Sequence, residues 1–409
     1  MMREGQIVLT YPSGRTGSYG PGPERVALRI ADDAALKAIA NDPMLAVGEM
    51  YMDGRLIVED GTIYDFLSLT KRNANVRAVT RGAMLRHVWR SLRASVRKRV
   101  GLRQARANIA HHYDLDESLY RLFLDADMNY SCAYFEHEGQ SLEAAQRAKQ
   151  RHITGKLLAQ PGSRALDIGC GWGGMGLYLS QVAELQTTGI TLSTEQARVS
   201  RARAEAAGVA ARFDVRLTDY RDLDERFDHI VSIGMLEHVG LPQLDTYFAQ
   251  VGRLLEKRGT ALIHSMGRTR PAKYSHPFGE KYIFPGGYIP ALSEVLPAVE
   301  RAGLLVKDIE ILPLHYAETT RIWRERFMAN REKVLSLGTF DERFVRMWEI
   351  YLAASEASFR HDRIFVFHLL LARHQDRIPI RRGWLAQEKD RLLAREAEIG
   401  FASGAANHP

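Results

Sequence analysis

The stretch DIGCGWGG, Asp167–Gly174, follows the short apolar run Ala165–Leu166 and holds four glycines in eight residues. Glycines directly after a strand let the backbone turn sharply and approach a ligand closely, and the helix that follows offers its free amides. The spacing Gly169-x-Gly171-x-x-Gly174 fits a dinucleotide fingerprint. Two features speak against a dinucleotide. Asp167 sets a carboxylate at the strand end, where it repels a pyrophosphate and attracts a sulfonium or an ammonium group. A dinucleotide fold also wants an Asp or Glu about 20 residues on for the ribose, and that place reads Ile190, Thr191, Leu192, Ser193. The stretch therefore points to S-adenosylmethionine (SAM), which has a sulfonium and no phosphates. Another nucleotide or a purely structural turn stays open on this stretch alone.

Outward from the turn, short apolar strands alternate with helical patterns. ALDIG is followed by the helical MGLYLSQVA, and TTGITL by STEQARVSRARAEAAG. FDVRLTD and HIVSIGM lead to the helical QLDTYFAQVGRLL, then TALIHSM. This alternation is that of an α/β, doubly wound, mostly parallel sheet with helices on both faces. LLVKDIEIL and RIFVFHLLLAR are expected to add the last strands, with FDERFVRMWEIYLAASEASF as an apolar-faced helix between them. Ligands of such sheets sit beyond the carboxyl ends of the strands. There the chain places Glu237 and His238 after HIVSIGM, His264 within TALIHSM, and His315 and Tyr316 after LLVKDIEIL. NYSCAYF, with Cys132, lies just upstream. A carboxylate, imidazoles, a phenol and a thiol at one edge suit binding of a small polar group or proton transfer. Taken singly, Glu237 also reads as a helix cap, His264 as a core histidine, Tyr316 as packing and Cys132 as a small buried hydrophobe.

The 409 residues, 45% hydrophobic and 26% charged, suffice for two domains of ordinary globular composition. No apolar run reaches the roughly 18 residues of a membrane span, and MMREGQIVLTYPSG has no apolar signal-peptide region. The two cysteines, Cys132 and Cys170, form neither a disulfide framework nor zinc-ligand spacing, so a reducing cytoplasm is expected. The net charge of +7 is local. Between Phe66 and Tyr113 stand twelve Lys or Arg and no acid, while elsewhere 44 of the 56 basic residues face 49 acidic ones. Within that segment Leu85, Trp89, Leu92, Val96 and Val100 form one helical stripe, flanked by Arg86, Arg90, Arg93 and Arg97. The stripe suits either an anionic membrane surface or packing on the N-terminal domain. Nucleic acid is not expected, because no recognition motif accompanies the charge. The expected organisation is a small α+β N-terminal domain (1–75), a basic amphipathic helical linker (76–106), a catalytic domain (107–395) and a disordered tail (396–409).

The chain resembles the cyclopropane-fatty-acid synthase family of SAM-dependent methyltransferases. The resemblance is carried by HHYDLDESLYRLFLDADMNYSCAYF, LDIGCGWGG, GITLSTEQ, DYRDL, FDHIVSIGMLEHVG, EKYIFPGG and the run from Tyr316 to Trp323-Arg-Glu-Arg-Phe. It covers about residues 110–330 and is weaker in GEMYMDG and FRHDRIFVFHLLLAR. It implies a Rossmann-like class I methyltransferase fold. It implies methyl transfer from SAM to a cis double bond of a phospholipid acyl chain, then deprotonation and ring closure, with bound bicarbonate as base. SAM-binding positions fall on Tyr130, Ser131, Leu166, Asp167, Gly169, Cys170, Gly171, Trp172, Gly173, Gly174, Thr191, Leu192, Ser193, Gln196, Tyr220 and Arg221. Bicarbonate positions fall on Cys132, Glu237, His264, Met266 and Tyr316. Met266 stands where the family often has Ile, and there the backbone makes the contact. Glu237 as the direct base is the alternative. Tyr316, Phe284, Tyr247 and Trp323 are candidates to stabilise a developing carbocation. The expected location is cytoplasmic, peripheral to the inner face of the membrane, with a homodimer compatible. The competing readings are a relative that leaves a methyl or methylene branch, a small-amine N-methyltransferase, an NAD oxidoreductase and a lipid-binding protein without catalysis.

Overall fold

A computed structural model describes residues 2–73, 117–272 and 275–401. The stripe and arginines of the expected basic linker lie outside the described residues, as do residues 402–409. The chain divides into two compact units.

The smaller unit comprises Met1–Val100, Lys273–Pro285 and Tyr316–Ile364. Its sheet is built from β1 (Gln6–Thr10), β2 (Thr16–Tyr19), β3 (Arg25–Ile30) and β4 (Leu56–Asp60), in the order β2-β1-β3-β4. β1 runs parallel to β3, and the other pairings are antiparallel. The helix Ile63–Arg72 starts on a capping box in which the Asp65 amide donates to the Thr62 hydroxyl and the Thr62 amide to the Asp65 carboxylate. One apolar cluster joins Leu28, Ile30, Ala35, Met50 and Leu56. A second joins Met52 and Ile63 to Phe278, Ile283, Ile350 and Ala353. That second cluster corrects the expected boundary at residue 75. The helix Glu342–His361 has its apolar stripe matched by residues of the first 75, so it packs with them. Tyr51 Oη donates to Glu349 at 2.6 Å across the same seam.

The larger unit comprises Gly101–Ala272, Gly286–His315 and Phe365–Pro409. Its strands are β5 (Arg164–Ile168), β6 (Gln186–Thr191), β7 (Phe213–Leu217), β8 (Phe227–Ile233), β9 (Leu255–Arg268), β10 (Leu305–Leu312) and β11 (Ile364–Ala372), in the order β10-β11-β9-β8-β5-β6-β7. The pairs from β7 to β9 are parallel, and β10 is antiparallel to β11. Successive residues point to opposite faces. Leu166, Ile230 and Ile263 therefore join the helices Leu244–Leu254 and Leu292–Arg301, while Ala165, Val231 and Leu262 join the helices Leu142–Leu157 and Gly174–Gln181. Chain order reverses between β5 and β8, and this switch point is where such sheets open a crevice. Asp167 lies there, in register with Gly189 of β6 and Val231 of β8.

The expected start of a disordered tail at 396 is also corrected. A helix runs from Trp384 to Glu398, its Leu392 is fully buried, and Glu396 accepts from Tyr178 Oη at 2.5 Å. Phe401 meets the Tyr178 ring edge-on at 5.5 Å. No helix among the described residues is long and apolar enough to cross a membrane.

Candidate active site

At the end of β5 the chain turns through Gly169, Gly171 and Gly173 at φ of 80°, 53° and 87°, a region costly to residues with a Cβ. The amides of Gly169 and Cys170 donate to the Ile190 carbonyl at 3.0 and 2.9 Å, tying the turn to β6. Gly174, the first residue of the next helix, is needed for a close approach. A Cβ there would stand 2.9 Å from both Asn129 Oδ1 and the Asp127 carbonyl. The turn borders a cavity of about 1000 Å³, its open mouth included.

Of the expected SAM-binding residues, Tyr130, Ser131, Asp167, Gly169, Cys170, Gly171, Trp172, Gly174, Thr191, Leu192, Gln196 and Tyr220 line this cavity. Four do not, and each has another task. Leu166 is core beneath the sheet. Gly173 caps the helix Gly174–Gln181. Ser193 caps the helix Thr194–Ala206 by accepting from the Gln196 amide. Arg221 pairs with Asp219 at 2.5 Å and lies over the Tyr220 ring at 5.5 Å.

The electrostatics of the cavity favour a cation. Asp167 is buried, its Oδ2 has no hydrogen-bond partner, and burial pushes its carboxyl up to about 7 against the pull of Lys149. An orphaned buried oxygen of this kind costs free energy unless a ligand donor meets it. Asp219, also buried on the cavity wall, caps the turn that carries Tyr220. No Lys or Arg other than Lys149 is on the wall among the described residues. This set suits an ammonium and a sulfonium and offers a pyrophosphate no arginine fork.

A second group of residues gathers at the ends of β8 and β9. Glu237 lies on the short helix Leu236–Val239, which follows β8, and accepts from the Met266 amide; its Oε2 has no partner. Burial pushes its carboxyl up to about 7. His264 and Met266 stand two residues apart on β9, so the pleat puts them on one face. Burial holds the His264 imidazole well below its ordinary pKa, hence neutral. None of Glu237, His264 and Met266 lines the cavity, but the neighbouring His238 does, neutral because burial lowers it to about 4. Cys132 is buried beside Ser131, its thiol donating to the Ala133 carbonyl at 3.2 Å. Tyr316 belongs to the smaller unit, where it meets Trp323 edge-on at 5.8 Å and Phe359 at 4.8 Å. Phe284 belongs to the same unit, in its second apolar cluster. Tyr247 is fully buried in the core of the larger unit, where it packs on Phe248, and does not line the cavity.

A family model described as mycolic acid cyclopropane synthetase matches residues 101–369. The chain belongs to that family. A second model, a domain of unknown function (DUF7884), matches residues 2–78. The chain is 34% identical over 362 residues to the cyclopropane-fatty-acyl-phospholipid synthase of Escherichia coli K12, covering 88% of this chain and 91% of that one. It is 40% identical over 283 residues to tuberculostearic acid methyltransferase UfaA1 of Mycobacterium tuberculosis, 66% of each. Among solved structures, the mycolic acid cyclopropane synthase CmaA1 complexed with SAH and CTAB superposes with a TM-score of 0.61 at 33% identity, covering 65% of this chain and 97% of that one. The larger unit thus has the class I SAM-dependent methyltransferase fold.

Sequence reasoning missed Lys149. It is almost wholly buried on the cavity wall, donates to Ser131 Oγ at 2.9 Å, and is pushed down to about 8 by burial against the pull of Asp125. Its helix, Leu142–Leu157, also sends Gln146 to the Ser131 carbonyl and Gln150 to the Gly174 carbonyl. No local signal marks these residues, because their partners lie elsewhere in the chain. Asp219 was missed too, although an acid at a strand end is the signal that singled out Asp167.

Proposed function

We propose that the protein transfers the methyl of SAM to a cis double bond of an unsaturated phospholipid acyl chain and closes a cyclopropane ring. The observation that carries this reading is the orphaned, buried Asp167 carboxylate facing the cavity at the switch point. It suits a cationic cofactor, in a chain of a family named for cyclopropane synthesis. When bound, SAM supplies an electrophilic methyl on a sulfonium. Asp167, Ser131, Tyr130 and Gln196 hold it, with the glycine turn leaving room for its close approach. An alkene is a weak nucleophile, so the site works by aiming the reactants at one another and excluding water.

Ring closure requires loss of a proton from the newly attached methyl. Cys132, Glu237, His264 and Met266 would hold bicarbonate for this step. Burial raises the Glu237 carboxyl to about 7, so near neutral pH it is shared between a protonated form that can donate to the anion and an ionised form that repels it. The basic segment 71–106 draws the protein to anionic headgroups, at on the order of 1 kcal/mol per charge near the surface. A second reading, a methylene-branched rather than a cyclised acyl chain, is favoured by the 40% identity to tuberculostearic acid methyltransferase.

The test is incubation with SAM and vesicles of cis-unsaturated phosphatidylglycerol, followed by mass spectrometry of the acyl chains. Addition of one CH₂ supports methyl transfer followed by proton loss, and ozonolysis then separates the products, because it cleaves a methylene branch and leaves a cyclopropane ring intact. Unchanged lipid overturns both. Glu237→Gln is expected to cut product formation about 10³-fold while SAM binding persists; retained turnover removes Glu237 from the chemistry.

A further inference from the structure

His264 is the inner end of a longer buried polar line. Its Nδ1 pairs with Nε2 of His368 at 2.8 Å. His368 stands on β11 directly across from Glu310 of β10. Its Nδ1 lies 3.6 Å from Glu310 Oε2, about half an ångström beyond a hydrogen bond. The same carboxylate oxygen accepts from His152 Nε2 at 2.6 Å and from Lys156 Nζ at 2.5 Å. His152 and Lys156 are four apart on the helix Leu142–Leu157 and so share its inner face. His264 and His368 are buried, while the Glu310 side chain keeps 29% of its exposure, so the line runs from the interior to solvent.

Packing alone does not call for these residues. On the opposite face β11 carries Phe367, Leu369 and Leu371, which fill the core. Burying two imidazoles in place of such side chains costs free energy. Nor does the cluster read as a metal centre. His152, Glu310 and His368 present ligand atoms within 4.8 Å of one another, but the Lys156 ammonium on the shared oxygen opposes a dication.

We propose that His368 and Glu310 are positioning residues that set the tautomer of His264 and take over the charge when it accepts a proton. The ionised Glu310 favours a proton on the near nitrogen of His368, Nδ1. Nε2 of His368 is then the acceptor, and His264 donates from Nδ1 and keeps its Nε2 lone pair free for chemistry. Burial works against ionisation of Glu310, yet His152 and Lys156 hold it at about 2. When Nε2 of His264 gains a proton, its Nδ1 proton passes to Nε2 of His368. One N–H bond forms and one breaks at each hop, and the positive charge comes to rest beside the Glu310 carboxylate. Release of the first proton reverses the transfer. This inference rests on the reading that His264 serves the deprotonation step.

The groups facing the pair are Lys149, His152 and Lys156 from the helix, which together with burial hold both imidazoles well below their ordinary range, and Glu310 from β10, the acid that opposes them. The experiment compares Glu310→Gln and His368→Phe with the unaltered protein in the vesicle assay, with SAM affinity measured alongside. Glu310→Gln is expected to lower kcat about 10-fold with SAM Kd and KM unchanged. It also moves the acid limb of the kcat–pH profile down by about one unit, because the carboxylate that favours the protonated pair is gone. Should His368→Phe not fold, Glu310→Gln carries the test. Imidazole ¹⁵N NMR of the unaltered protein is expected to show His264 protonated at Nδ1. A Glu310→Gln protein with kcat and pH profile within about twofold of the original, or His264 protonated at Nε2, overturns the inference. Loss of activity on chelation, restored by Zn²⁺, overturns it in favour of a metal centre. Unconverted phospholipid in the unaltered protein overturns the functional reading instead, and the NMR result is read independently of it.

Discussion

The glycine turn and the helix Leu142–Leu157 wall the same cavity by opposite means. The turn works through missing side chains: three backbone positions at positive φ and one close approach at Gly174. The helix works through long polar side chains, with 13 of its 16 residues buried although most of them are polar. The turn's contribution is written in consecutive residues. The helix's contribution exists only because Ser131, the Gly174 carbonyl and Glu310 arrive from three distant parts of the chain.

This contrast is breakable. Gly174→Val should weaken SAM binding 100-fold or more, since its Cβ meets a backbone carbonyl that cannot move aside. Isothermal titration measures it, and a Kd within threefold of the original would remove the close approach from the account. Lys149→Met, which keeps most of the volume and drops the cation, should act more mildly and through pH. Ionised Asp167 attracts the cationic cofactor, so affinity in the unaltered protein rises as pH passes about 7. Lys149 lowers the Asp167 pKa, so its loss should shift that rise upward by about one unit and weaken binding about 10-fold at neutral pH. A Kd–pH curve from 5.5 to 9 that coincides with the original would show the helix to be scaffolding. Ser193→Ala should have the smallest effect. Loss of its cap is worth about 1 kcal/mol of stability, read by urea unfolding, with SAM affinity unchanged because the side chain faces the helix and not the cavity.

Much of the larger unit was legible because its signals are local. Strands β5, β6, β8 and β9 bury both faces while the edge strand β7 alternates, and helices follow β5, β6 and β8, a pattern visible in any short window. Asp167 stood out for its place at a strand end, and Glu237 and His264 by the same rule. The smaller unit was legible only in its first 75 residues. The later segments it takes in, Lys273–Pro285 and Tyr316–Ile364, carry apolar stripes whose destination no periodicity reveals. Lys149, His152 and Lys156 carry no local signal for the same reason: their partners lie in distant segments.

From its order of residues alone, this chain declared an α/β sheet, a phosphate-free nucleoside cofactor and a carboxylate–imidazole pair at the strand ends. Each rests on neighbours in sequence or on a period of two or 3.6. Tertiary structure alone decided which polar side chains are buried, that two carboxyls titrate near neutrality, and that His264 is backed by His368 and Glu310. Those properties come from desolvation and from contacts between distant segments, and they appear only once the chain has closed on itself.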